Sequence, residues 1–159
     1  MKTPILVSAC LLGIACRYDG RSKQNPAVLA WLAEQELTPI PVCPEQLAGL
    51  PTPRLASRFA SEDGPAVLNG QADVVTHDGQ TQTEAFIRGA DQTLAIAHLC
   101  GCRTALLKER SPSCGVRQID RNGAIVPGQG VTTARLQTAG LDVFSEEQLL
   151  SHVRGCHGC

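Results

Sequence analysis

The stretch TPILVSAC (3–10) decides the fold. Ile5 to Ser8 is a short apolar run closed upstream by Pro4, and it reads as a buried strand. Downstream, Asn25-Pro26 combines a helix-capping side chain with proline at the first helical position. The helix it starts runs to about Glu36, with Val28, Leu29 and Leu32 on one side. Pro39 to Val42 is a second extended segment, and its two prolines assign it to an edge or an irregular strand. Residues 46–70 are rich in proline, glycine and alanine and read as a long loop. Ala72–Thr76 is a strand, Thr83–Leu99 the strongest helix, ended by Gly101, and Thr104–Leu107 a buried strand. Glu109–Gly115 is a loop and 123–130 a glycine-rich connection. A short helix over about Val131–Ala139, a strand Asp142–Phe144 and a capping box Ser145-Glu-Glu-Gln148 complete the pattern. Strands that alternate with helices define an α/β fold, Rossmann-like and three-layered, with a mostly parallel sheet. No repeat or linker divides residues 1–159, which read as a single domain.

The composition sets outer limits. With 43% hydrophobic and 18% charged residues the chain is not a disordered tail, and no apolar run is long enough to span a membrane. A net charge of −1 argues against an extended nucleic-acid footprint, which needs a basic surface, and leaves a small polar or nucleotide-sized ligand open. Eight cysteines against five aromatic residues is the anomaly. The N-terminus has one lysine and an apolar run broken at Pro4, a poor secretory leader. The expectation is therefore a cytoplasmic protein whose cysteines act as thiols, metal ligands or catalysts rather than as a disulfide framework. The sequence leaves the oligomeric state open.

Three cysteines share one structural address. Cys10 follows the first strand, Cys43 ends the second extended segment, and Cys114 lies in the loop after strand 104–107. Ligands of open parallel sheets bind beyond the carboxyl ends of the strands, so three thiols from three strand ends can meet there. Thiolates suit soft metals and iron–sulfur clusters, and spacing alone does not separate a cluster from zinc. Buried cysteine acting as a small hydrophobe is the plain alternative.

The motifs SACLLG (8–13), CRYDG (16–20), CPEQLAGLPTPR (43–54), FIRGA (86–90), LLKERSPSCG (106–115), GQGVTTARL (128–136) and VFSEEQL (143–149) together resemble the DUF523 family, whose characterised members are thiouracil desulfidases of the TudS type. The resemblance covers nearly the whole chain. It implies a [4Fe-4S] cluster held by Cys10, Cys43 and Cys114, with one iron not ligated by cysteine. It also implies non-redox removal of sulfur from a small thiolated pyrimidine or nucleotide. The chain departs from the family pattern at Leu55-Ala56-Ser57-Arg58, where relatives continue with a proline-rich, acidic stretch.

Other residues take roles around this centre. Glu45, two residues from Cys43, is the candidate general acid or base. Its position alone suits a solvated helix start equally well, and the resemblance favours catalysis. Ser111 and Ser113, flanking Pro112, are candidates to hydrogen-bond a developing charge, with Ser111 first; simple turn chemistry is the alternative. Tyr18 is a candidate to stack on a pyrimidine, Arg17 or Arg54 to pair with a phosphate, and Lys108 to place a cation beside the cysteine loop. Cys16 reads as a buried small hydrophobe, with a reserve thiol beside the site as the alternative. Cys100, Cys102, Cys156 and Cys159 form two close pairs that would make a zinc site only if they met. His77, His98 and His152 stand singly, and Gly128-Gln-Gly130 is no dinucleotide motif. Two further function classes fit: a non-catalytic iron–sulfur or zinc-binding module, and a metal-free enzyme with a cysteine nucleophile.

Overall fold

The computed structural model describes residues 2–149. Strand β1 (Thr3–Ser8) is central, as its apolar run requires. It pairs in parallel with β2 (Leu37–Val42) on one side and with β5 (Thr104–Leu107) on the other, and β5 pairs in parallel with β8 (Asp142–Ser145). The order β2-β1-β5-β8 leaves β2 at an edge, the place its prolines demand. Side chains alternate between the two faces with period two. Ile5, Val7 and Leu106 join Val28 and Leu32 of α1 (Pro26–Glu34) in one core. Leu6, Ala105 and Leu107 point the other way, toward Ala97 of α4 (Thr83–Cys100) and Leu136 of α5 (Val131–Thr138). This is the expected α/β layering.

Local chemistry explains several boundaries. The Asn25 carboxamide oxygen accepts the N–H groups of Ala27 at 3.0 Å and Val28 at 3.3 Å, so α1 starts where the Asn-Pro pair places it. It ends at Glu34 rather than Glu36, because Glu36 adopts φ 53. Leu29, expected beside Val28 and Leu32, faces solvent. At the other end of the chain the Ser145 and Gln148 side chains bond each other's backbone N–H groups, a capping box over the helical turn at 146–149.

Two expectations need correction. Residues 46–70 are no long loop: they contain the second half of α2 (Pro44–Leu47), then β3 (Ser57–Phe59) and α3 (Gly64–Leu68). The 123–130 connection is half of a hairpin, β6 (Gln118–Arg121) and β7 (Ala124–Pro127), turned at Asn122-Gly123, both with positive φ. Asn-Gly is the strongest short hairpin signal, and the glycine-rich reading passed over it. With β4 (Val74–Thr76), these strands form a second, mixed sheet in the order β4-β3-β6-β7. Its core joins Phe59, Val74 and Ile119 to Phe86 and Ala90 of α4. Helix α4 therefore serves both sheets. Among the described residues no helix is long and apolar enough to cross a membrane.

Asn25→Ala should lower unfolding free energy by about 1 kcal/mol, since two amides at the start of α1 lose their acceptor. A shift in the urea midpoint at unchanged m-value is the check.

Candidate functional site

The carboxyl ends of β1, β2 and β5 open onto one cavity of about 390 Å³. Cys10, on a 3-10 turn (Ala9–Leu12) directly after β1, lines it, as do Cys43 at the start of α2 and Cys114 in the loop after β5. Cys10 and Cys114 are 7% and 5% exposed, and Cys43 is half-buried. The sequence-predicted trio is thus brought together.

Two glycines allow the backbone to come this close. A Cβ on Gly89 of α4 would strike the Pro44 carbonyl, so its absence lets the Cys43-Pro44-Glu45 turn rest on the helix. A Cβ on Gly130 would strike the Ser113 carbonyl. Without it, the start of α5 meets the cysteine loop directly. Pro112 and Ser113 carbonyls accept from Val131 and Thr132 N–H at 3.0 and 2.9 Å, and the Thr133 hydroxyl donates to the Cys114 carbonyl at 3.0 Å.

The same loop is held from its other side by Glu109, which is 2% exposed. Its Oε1 accepts N–H from Val116, Arg117 and Gln118 at 2.7, 2.9 and 3.0 Å, and Arg117 Nε stands 4.0 Å from Oε2. Burial pushes the Glu109 carboxyl up. The amides of Arg117 and Gln118, the Ser145 hydroxyl and the Val116 amide outweigh it and hold the group below its ordinary value. Glu146 accepts the Glu109 N–H at 2.9 Å and Lys108 Nζ at 2.9 Å. Lys108 lines the cavity, with its ammonium also on the Glu109 carbonyl at 3.1 Å.

Glu45 faces the cavity between two partners. Arg54 Nε donates to its Oε1 at 3.0 Å, and the Ser113 hydroxyl donates to its Oε2 at 3.2 Å. Ser111 Oγ accepts the N–H groups of Ser113 and Cys114 at 3.2 and 3.1 Å and lies 3.0 Å from Ser113 Oγ. Ser111 therefore shapes the turn while Ser113 touches the carboxylate. The rest of the Arg54 guanidinium is taken by the carbonyls of Cys16 and Pro51 and by the Thr52 hydroxyl. Arg17 and Tyr18 stand at the cavity, with the Arg17 guanidinium 5.6 Å from the Tyr18 ring centroid. Ala56 and Ser57, where the chain departs from the family motif, also line it.

Sequence reasoning passed over Ser8, Glu109 and Glu146, and it left Cys16 merely nearby. Ser8 Oγ accepts the Lys108 N–H at 2.9 Å and reaches the Cys114 thiol. Cys16, 2% exposed, lines the cavity with Cys10 and Cys43, and its carbonyl accepts from the Cys43 thiol at 3.7 Å. Burial pushes the Cys114 thiol up to about 12. Its hydrogen bond to Cys10, with burial adding, pushes Cys16 up to about 11, and the bond to Cys16 together with burial drives Cys43 upward. Such thiols stay protonated unless a cation arrives, and a bound metal reverses the balance. Among the described residues no three His, Cys, Asp or Glu side chains are placed to hold a single metal ion. The soft donors instead surround a space larger than one ion, which fits a polynuclear iron–sulfur group. Cys100 is exposed and Cys102 buried, and neither lines the cavity. Cys156, Cys159 and His152 lie outside the described residues.

Fold and cavity together define an α/β protein with a thiol-lined pocket at the carboxyl end of a parallel sheet. The chain belongs to the 2-thiouracil desulfurase family, whose pattern matches residues 5–148. It is similar to the uncharacterized protein YbbK of Bacillus subtilis (strain 168), 40% identical over 148 residues that span 91% of this chain and 97% of YbbK. It is also similar to a solved structure, the [4Fe-4S]-dependent thiouracil desulfidase TudS, with a TM-score of 0.80 and 40% identity over 98% of this chain and 99% of that one.

Glu109→Ala strands three backbone amides and should cost at least about 3 kcal/mol in urea unfolding, from about 1–3 kcal/mol for each unpaired group. Because the folded carboxyl titrates low, its contribution is present above its ordinary pKa and lost as pH falls from there through the folded value. Glu109→Gln, which keeps the acceptor oxygen, should cost less and flatten that acid-side loss.

Proposed function

We propose that this chain is an iron–sulfur-dependent desulfidase that converts a thiolated pyrimidine, of the 2-thiouracil, 4-thiouracil or thio-UMP class, into the carbonyl base and hydrosulfide. One observation carries the reading: three strand-end thiols line a single cavity into which a carboxylate–serine pair also points. Cys10, Cys43 and Cys114 would hold a [4Fe-4S] cluster, leaving one iron without a cysteine ligand. When bound, the cluster supplies a soft Lewis acid for the thiocarbonyl sulfur and needs no change of oxidation state.

The remaining chemistry falls to the chain's own side chains. The overall change adds water at the ring carbon and expels sulfur as hydrosulfide, so a proton must leave the water and protons must reach the products. Glu45 is the group for this, held with one oxygen on Arg54 and the other on Ser113. Ser113 aligns the carboxylate and hands a hydrogen bond to charge as it develops on the ring, with Ser111 behind it fixing the turn. Arg54 serves Glu45 in this reading rather than a substrate phosphate, since its donors are engaged by the protein. Tyr18 at the rim presents a face for the pyrimidine, beside Arg17 and Lys108 as the cationic flank.

Protein purified without air should carry iron and absorb broadly near ~400 nm. On mixing with 2-thiouracil or 4-thiouridine monophosphate it should release sulfide as the thione band decays. Iron uptake without sulfide release from either compound would reduce the protein to a metal-binding module. Alanine at Cys10, Cys43 or Cys114 should each abolish iron binding. Glu45→Gln should keep the iron and lower kcat by at least about 100-fold.

A further inference from the structure

We infer that Lys108, held in place by Glu146, is the donor that reads the retained carbonyl oxygen of the substrate ring, so that this pair sets specificity in the cavity. A thiouracil carries one sulfur to be removed and one oxygen that stays, and the inference rests on the proposed function for the identity of that ring. Sheet register brings the two side chains together. Strands β5 and β8 run in parallel with Leu107 opposite Ser145, so residues 108 and 146 leave the same carboxyl edge side by side. The Lys108 N–H is tied to Ser8 Oγ at 2.9 Å, and the Ser145–Gln148 capping box fixes the turn that bears Glu146. Lys108 Nζ donates to Glu146 Oε1 at 2.9 Å and to the Glu109 carbonyl at 3.1 Å. Glu146 Oε2 accepts the Glu109 N–H at 2.9 Å, so the carboxylate cannot swing away without stranding a buried amide.

An ammonium has three N–H donors. Two of those on Lys108 are bonded to the protein, and the third is left on a residue that lines the cavity. The charge beside that donor decides what it takes. The Lys108 and Glu146 side chains are 20% and 7% exposed and already balance each other. A phosphate bound here would meet the Glu146 carboxylate, with its like charge, in a poorly solvated place. A neutral carbonyl oxygen meets no such repulsion and still gains a charge-assisted hydrogen bond. An ion pair this buried adds little to stability, because desolvation offsets the attraction. Its value lies in the free donor, which favours rings that carry the oxygen and rejects those that leave the N–H unpaired. Lys108 is thus a substrate-binding group, and Glu146 is a positioning residue that acts through it.

The test compares iron-loaded wild type, Lys108→Met and Glu146→Gln by isothermal titration calorimetry, with fold and iron content matched beforehand. The ligands are uracil and pyrimidin-2-one, which lacks the second ring oxygen. Uracil affinity should fall by about tenfold in Lys108→Met, whereas pyrimidin-2-one affinity should stay within about twofold. The kcat/KM values for 2-thiouracil and pyrimidine-2-thione should split in the same way. Glu146→Gln should lose part of the same preference, and it decides alone if Lys108→Met does not fold. Equal losses for both rings, unchanged uracil binding, or wild type that binds no uracil would overturn the inference. Wild type that binds uracil but releases no sulfide from 2-thiouracil would sink the desulfidase reading instead, with the donor still decided by the titrations.

Discussion

Glu109 carries a negative charge into a place that is 2% exposed, and the chain folds back on it to supply the donors that make this tolerable. Three consecutive amides, 116 to 118, converge on one of its oxygens. Buried amides without partners would cost about 1–3 kcal/mol each, so the loop has little freedom to leave this carboxylate. From the opposite side the first amides of α5 take the carbonyls of Pro112 and Ser113. Between these two attachments lies Cys114. Its position is a consequence of backbone hydrogen bonding, with thiol packing as a secondary effect.

The electrostatics of the cavity follow a simple division. The carboxylates of Glu45 and Glu146 come with cationic partners, Arg54 and Lys108. The thiols of Cys43 and Cys114 do not, and burial pushes both upward and keeps them protonated. A soft cation is the natural complement of such a set, because it converts buried thiols into bound thiolates and removes the cost of their charge. Glu45 stays beside this set without joining it, oriented by a guanidinium and a hydroxyl, the placement that the proposed proton transfer requires.

Helix α4 links the two halves of the architecture. Ala97 packs against the parallel sheet, Phe86 and Ala90 against the mixed one, and Gly89 between them receives the Pro44 carbonyl. The segment that carries Cys43 and Glu45 is therefore seated on the helix that both sheets share. The family match and the likeness to TudS extend across this whole frame.

How much was legible in the sequence depended on how local each interaction is. The Asn25 cap, the Ser145–Gln148 box and the edge position of β2 are written in neighbouring residues, and all three were readable. So were Cys10, Cys43 and Cys114, because a strand's end can be read from the strand. Of the mixed sheet only β4 was readable: β3 has three residues, and pairings such as Phe59 with Arg121 join distant parts of the chain. The sequence alone determined the strands of the parallel sheet, the caps and which thiols stand at strand ends, since these follow from periodicity and short-range hydrogen bonding. Tertiary structure alone decided that Ser113 meets Glu45 across 68 residues, that Arg54 holds that carboxylate, and that the Cys43 thiol meets the Cys16 carbonyl. Those contacts exist only once loop-closure entropy has been overcome by the packed core, and no local pattern records that balance.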